Sequence, residues 1–184
     1  MRVKICGITR LEDALLAEAL GAFALGFVLV PGSRRRIAPE AARAIGEALG
    51  PFVVRVGVFR NQPPEAVLRL MEEARLQVAQ LHGEEPPEWA EAVGRFYPVI
   101  KAFLDGKRPG SGEAYPRAWA KPLLATGRRV ILAGGIAPEN LEEVLALRPY
   151  ALDLASGVEE APGVKSAEKL RALFARLASL RMEG

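Results

Sequence analysis

Several short stretches of this chain place a chemically able residue at the end of an apolar run. Cys6 ends V-K-I-C, His82 follows Q-L, and Asp105 follows A-F-L. Gly134-Gly135 follows I-L-A, and Ser156-Gly157 follows D-L-A. A deprotonated thiol is a nucleophile or a base. A histidine or a carboxyl group passes protons. Glycines let backbone N–H groups close on an anion. Each has a plain alternative. A lone cysteine among apolar neighbours is most often a small buried side chain. A lone histidine is more often structural than catalytic, and a glycine pair after a strand is often a tight turn. Arg34-Arg35-Arg36 reads equally well as a solvated loop. Their shared position at strand ends gives the set its weight, because barrel enzymes build their sites there.

The elements that would hold these residues alternate. Apolar strand-like runs fall at 3–6, 25–30, 53–59, 78–81, 99–103, 130–133 and 151–155. Helical patterns fall at 11–20, 39–49, 63–75, 87–95, 115–126, 138–147 and 166–180. Thr9 and Glu12 form a capping-box pattern for the first helix, and Gly21 stands where a helix stops. Pro39 suits a first turn, and Asn61 stands as a cap for the helix at 63–75. Repeated β-then-α units imply a parallel sheet.

Strand alternation separates a barrel from an open sheet. Lys4 and Cys6 oppose Val3 and Ile5; Gln80 and His82 oppose Ala79 and Leu81. Asp153 opposes Leu152 and Leu154, Arg55 opposes Val54 and Val56, and Lys101 opposes Ile100 and Ala102. One polar-bearing face per strand fits a barrel whose interior points to a site. An open sheet covered on both sides buries apolar residues on both. The expected fold is α/β, a (β/α)8 TIM barrel formed as a single domain over residues 1–184. The run K-A-F-L-D-G at 101–106 passes from one strand straight into the end of another. The βα5–β6 region therefore reads as incomplete around Phe103-Leu104.

The chain has 184 residues, a formal net charge of +3 and one cysteine. No apolar run reaches the roughly 18 residues of a membrane span. The opening M-R-V-K-I-C-G-I-T-R lacks a signal peptide's apolar core. A cytoplasmic protein without disulfides is expected. Basic residues do not interleave with aromatic ones, which argues against nucleic acid. No metal or nucleotide motif is present, so no cofactor is expected. The glycine loops after the last two strands form the expected phosphate site.

Four motifs, in order, carry a resemblance: K-I-C-G-I-T at 4–9, V-G-V-F-x-N at 56–61, Q-L-H-G at 80–83 and D-x-x-S-G at 153–157. Together they resemble phosphoribosylanthranilate isomerases of tryptophan biosynthesis. The resemblance implies a cofactor-free (β/α)8 barrel acting on a small phosphorylated substrate, as a monomer or a homodimer. It implies an Amadori rearrangement of N-(5'-phosphoribosyl)anthranilate to 1-(2-carboxyphenylamino)-1-deoxyribulose 5-phosphate. Cys6 would be the general base and Asp105 the general acid. Arg35 would contact the anthranilate carboxylate, with Arg34 and Arg36 as alternatives. Gln80, His82 and Asp153 would contact substrate. Gly134, Gly135, Ser156 and Gly157 would hold the phosphate, and Gly110-Ser111-Gly112 would cover the ligand.

There are departures. Ala155 stands where the family often has serine. The family carries about 15 to 20 further residues before Asp105, in line with ordinary βα unit lengths. A discontinuity in this chain between Phe103 and Leu104 is the expected reason. Two other readings stand beside this one. An indoleglycerol-phosphate synthase-like lyase would use Lys4 or Lys101 and make Cys6 dispensable. A non-enzymatic phosphosugar-binding protein would keep only the phosphate loops.

Overall fold

Seven parallel strands run in the order β5-β4-β3-β2-β1-β7-β6. The computed structural model describes residues 1–103 and 120–182. The strands are β1 (Arg2–Cys6), β2 (Ala24–Val28), β3 (Val54–Phe59), β4 (Val78–Leu81), β5 (Val99–Lys101), β6 (Ile131–Ala133) and β7 (Ala151–Leu154). Between them come α1 (Leu11–Ala19), α2 (Pro39–Ala48), α3 (Pro64–Glu73), α4 (Pro87–Gly94), α5 (Lys121–Leu124) and α6 (Leu141–Leu145). A hairpin of β8 (Glu159–Ala161) and β9 (Val164–Lys165) precedes α7 (Ala167–Met182). Each of the strands β2 to β5 lies beside its predecessor, and β1 also pairs with β7. That cyclic order is a barrel's; in a doubly wound sheet it would reverse at a switch point. The expected eighth strand falls in the segment before Asp105. Leu104, Asp105 and the glycine-rich loop at 110–112 lie outside the described residues, as does the first part, 115–119, of the helix expected at 115–126.

The outer face carries the core. Val3, Ile5, Leu25, Phe27, Phe59, Leu81, Leu152 and Leu154 are buried there in one cluster. They meet Ala14 and Ala17 of α1, Val67 and Met71 of α3, and Leu170 and Leu173 of α7. The inner face follows from register. Lys4 lies level with Ala24 and Asp153, Cys6 with Gly26, and Val58 with both Val28 and Gln80.

Register corrects two expected inward residues. Arg55 lies level with Leu25, and Lys101 with Leu81, so both belong to the outer face. Arg55 donates from Nε to the Gly46 carbonyl at 2.9 Å and from Nη2 to the Leu49 carbonyl at 3.5 Å. A guanidinium there adds a donor to the carbonyls at the end of α2, where the Gly46 carbonyl otherwise accepts only a long bond of 3.3 Å from the Leu49 N–H. Lys101 reaches the Gly83 carbonyl and pairs with Glu85 Oε2 at 2.8 Å. A strand charge can thus face the helices when a helix end or loop supplies its partner.

Two expected caps also differ. The α1 N-cap is Arg10, without a side-chain capping bond. The Thr9 hydroxyl donates instead to the Gly163 carbonyl. Pro63 is the N-cap of α3, and Asn61 accepts from the Glu84 N–H at 2.8 Å.

Arg55→Met keeps most of the packing volume and removes both carbonyl bonds. Urea unfolding should show a loss of about 1.5–3 kcal/mol, the range for a hydrogen bond to a charged group. An unchanged midpoint would mean that solvent already serves these carbonyls.

Candidate active site

Cys6 is the last residue of β1, partly buried beside Val28, Val30 and Val58. Gly26 makes room for it: a Cβ there would lie 2.7 Å from Cys6 Sγ and 3.1 Å from Lys4 Cε. Lys4, one layer below, is buried and pairs with Asp153 Oδ2 at 2.8 Å. Burial opposes the Lys4 charge, but Asp153 and then the Cys6 side chain outweigh it and raise the lysine's pKa. Asp153 Oδ1 is, among the described residues, a buried side-chain oxygen without a hydrogen-bond partner.

His82 follows β4. Its Nδ1 lies 3.0 Å from Nε2 of buried Gln80. An amide NH2 only donates, so Nδ1 is the bare nitrogen and Nε2 carries the proton. Burial lowers the His82 pKa; Lys4 and Arg60 lower it further, against Asp153 and Glu85. The ring is a neutral hydrogen-bonding group at pH 7.

Of the three consecutive arginines, Arg34 and Arg36 are exposed and Arg35 is drawn inward. Its Nε and Nη2 grip Glu159, with Nη2 2.8 Å from Oε2 and Nε 2.9 Å from Oε1. Its stem lies under the Gly7 backbone, where a Cβ would meet Arg35 Cδ at 2.8 Å. Glu159 also accepts from buried Lys165 at 2.8 Å. Burial acts to raise the Glu159 carboxyl, but the bonds from Arg35 and Lys165 hold it below the usual carboxylate range.

The glycine loops lie at the same end of the sheet. Gly134 and Gly135 take φ of +87° and +61°. Gly157 admits no side chain, since a Cβ would sit 1.9 Å from the Ile136 carbonyl oxygen. The two loops are thereby packed together. Asn140 secures the first, accepting from Ala137 N–H at 3.0 Å and donating to Gly135 O at 2.6 Å. Gly134 and Ser156 are exposed at the rim.

Cys6, Gln80, His82, Asp153 and both glycine loops thus gather at one end of the sheet, and Arg35 reaches it through Glu159. Expected Asp105 lies outside the described residues. Sequence reasoning missed Glu159 and Lys165. The signal was the A-P-G turn at 161–163, which sets Glu159 opposite Lys165 in the hairpin. No helix among the described residues is long and apolar enough to cross a membrane.

Comparison with known proteins agrees in sequence and in structure. A family model for N-(5'phosphoribosyl)anthranilate (PRA) isomerase matches residues 3–107 and 95–176. The two stretches meet over the short segment before Asp105. The N-(5'-phosphoribosyl)anthranilate isomerase of Thermotoga maritima is 41% identical over 195 residues, covering 93% of this chain and 95% of that protein. That aligned length exceeds the 184 residues of this chain. The crystal structure of phosphoribosyl anthranilate isomerase from Thermus thermophilus superposes with a TM-score of 0.97 at 88% identity, covering 98% of this chain and 100% of that one. A phosphoribosyl anthranilate isomerase in complex with reduced 1-(o-carboxyphenylamino)-1-deoxyribulose 5-phosphate gives 0.88 at 38% identity, covering 97% and 99%. Monomers made from the dimeric Thermotoga maritima enzyme give 0.89 at 35%, with the same coverage.

The lowered His82 pKa has a thermal consequence. The unfolded chain takes up a proton near the ordinary histidine value of about 6.5, and the folded chain only at lower pH. The stability from neutral His82 is therefore full above about pH 6.5 and lost as pH falls below it. Glu85 and Glu159, held below the carboxylate value of 4.5, act in a lower window. In thermal melts, His82→Gln should shrink the fall in Tm between pH 7 and pH 5. An unchanged fall would assign it to other groups.

Proposed function

Because the chain belongs to the N-(5'-phosphoribosyl)anthranilate isomerase family, we propose that Cys6 and Asp105 drive that family's rearrangement in this protein. The protein is an isomerase of tryptophan biosynthesis, with a single domain over residues 1–184 and a cytoplasmic location as our reading. It converts N-(5'-phosphoribosyl)anthranilate to 1-(2-carboxyphenylamino)-1-deoxyribulose 5-phosphate.

Asp105 protonates the furanose ring oxygen, and the ring opens to a Schiff base. The Cys6 thiolate then removes the C2 proton. The resulting enolamine tautomerises to the ketone. The observation that carries this reading is the setting of the lone thiol. It ends a strand at the mouth, where Gly26 leaves room for it and Lys165 donates to its backbone carbonyl. Arg35 is the half-buried one of three arginines, which supports it as the contact for the anthranilate carboxylate. Asp153 Oδ1, buried and without a partner among the described residues, supports a contact from a sugar hydroxyl, and the His82 Nε2–H supports a donor. Gly134, Gly135, Ser156 and Gly157 offer backbone N–H groups to the phosphate. The lyase reading loses its lysines: Lys4 is paired with Asp153, and Lys101 faces the helices.

A second copy of this chain is our reading of the partner. Phe52 is 93% exposed, and it shares a surface groove with Met1 and half-exposed Phe23. All three precede strands, so the patch lies opposite the mouth. An apolar patch of this kind marks an interaction surface.

Cys6→Ala tests the chemistry. Loss of N-(5'-phosphoribosyl)anthranilate should slow by about 10²–10⁴-fold, the weight of a general base, while binding persists. Unchanged turnover would remove Cys6 from the mechanism. Phe52→Asp tests the partner: sedimentation should show the wild type as a dimer and the variant as a monomer. A monomeric wild type would dismiss the interface.

A further inference from the structure

Behind the proposed base lie charges that the rearrangement itself does not call for. Lys165 and Glu159 are buried at 2% and 6% exposure, and they face each other across the β8–β9 hairpin. An ammonium group has three protons to donate and no acceptor. Lys165 Nζ finds acceptors in three places: the Cys6 carbonyl, Glu159 Oε1 at 2.8 Å and the Ala155 carbonyl at 3.5 Å. One cation thus ties the end of β1 to the start of the last glycine loop.

Glu159 holds that cation and Arg35 together. Its Oε1 accepts from both, and its Oε2 accepts from Arg35 Nη2 and Nε at 2.8 and 3.1 Å. The Nε–Nη2 edge of the guanidinium is turned to Glu159. A planar fork held along one edge has a fixed orientation. The opposite side, with Nη1, is the one left to meet a substrate carboxylate.

The hairpin itself is anchored. Asp13 Oδ2 accepts from the Lys165 N–H at 3.0 Å, and Arg10 holds Asp13 through two bonds. Thr9 holds the Gly163 carbonyl. The loop after β1, the loop after β2 and the hairpin after β7 therefore share one buried junction.

We infer that Glu159 is a positioning residue for the rearrangement, orienting Arg35 toward the substrate carboxylate and, through Lys165, fixing the backbone that carries Cys6. The inference rests on Cys6 as the base and Arg35 as the carboxylate contact. Glu159 touches neither reacting carbon nor leaving oxygen; it acts through two other residues.

The two arms predict different kinetic signatures. Glu159→Gln keeps the shape and removes the charge. It should raise KM about tenfold or more, and weaken inhibition by anthranilate by a similar factor. Inhibition by inorganic phosphate should stay as in the wild type. Lys165→Met should lower kcat about tenfold with KM nearly unchanged, and Lys165→Arg should recover part of it. Iodoacetamide should alkylate Cys6, the sole thiol, more slowly in Lys165→Met than in the wild type. Wild-type KM in Glu159→Gln would overturn the inference, as would equal loss of anthranilate and phosphate inhibition. An inactive Cys6→Ala beside a kinetically normal Glu159→Gln would refute the positioning role alone. An active Cys6→Ala would refute the base assignment, whatever Glu159→Gln does.

Discussion

Lys4 and Asp153 face each other across the seam where the first strand pairs with the last, 149 residues apart in sequence. Removing two charges from water costs several kcal/mol per ion, and the pair repays it only in good geometry. A slip of one residue would set Leu152 or Leu154 against Lys4 and leave a bare buried ammonium. The seam therefore has one tolerable register. Cys6 lies two residues further along the same strand, so that register also fixes the thiol's height above Asp153. Gly26 on the neighbouring strand completes the constraint by leaving space for both side chains.

The two faces of the sheet divide the work. Outward residues such as Ile5, Phe27, Leu81 and Leu154 pack against helices at almost zero exposure. Inward positions hold small, branched or paired polar side chains. This lets the mouth be polar while stability comes from the outside. Arg55 and Lys101 show the rule's physical content. They tolerate the helix-facing side because helix ends and loops carry carbonyl groups that want a donor. Polarity alone does not say which face a strand residue takes; the available partner does.

Much of this was legible from spacing. Seven apolar runs mark the seven strands of the parallel sheet, and alternation places Lys4, Cys6, Gln80, His82 and Asp153 on one face. What spacing missed are interactions between distant segments. Glu159 and Arg35 are 124 residues apart, and no local pattern joins them. Thr9 and Glu12 have the form of a capping box, yet the hydroxyl is taken by Gly163 from the far end of the chain. Asn61 was lost as a cap for the same reason, claimed by the loop after β4. Short polar side chains choose partners by proximity in the fold.

The balance of charge around the mouth fits a substrate with two anionic ends. Lys4 and Asp153 neutralise each other. Glu159 is shared between Arg35 and Lys165, so that junction keeps one positive charge in excess. In a partly buried site this charge is weakly screened. It lies beside the thiol we propose as the base and on the arginine we propose for the carboxylate. In the proposed reading the phosphate is left to the glycine loops, whose N–H groups would bind an anion without adding a mobile side chain. Fixed dipoles would hold one end of the proposed ligand and a clamped guanidinium the other. The sugar carbons between them would then be presented to Cys6, the proposed base, by the scaffold, before any proton moves.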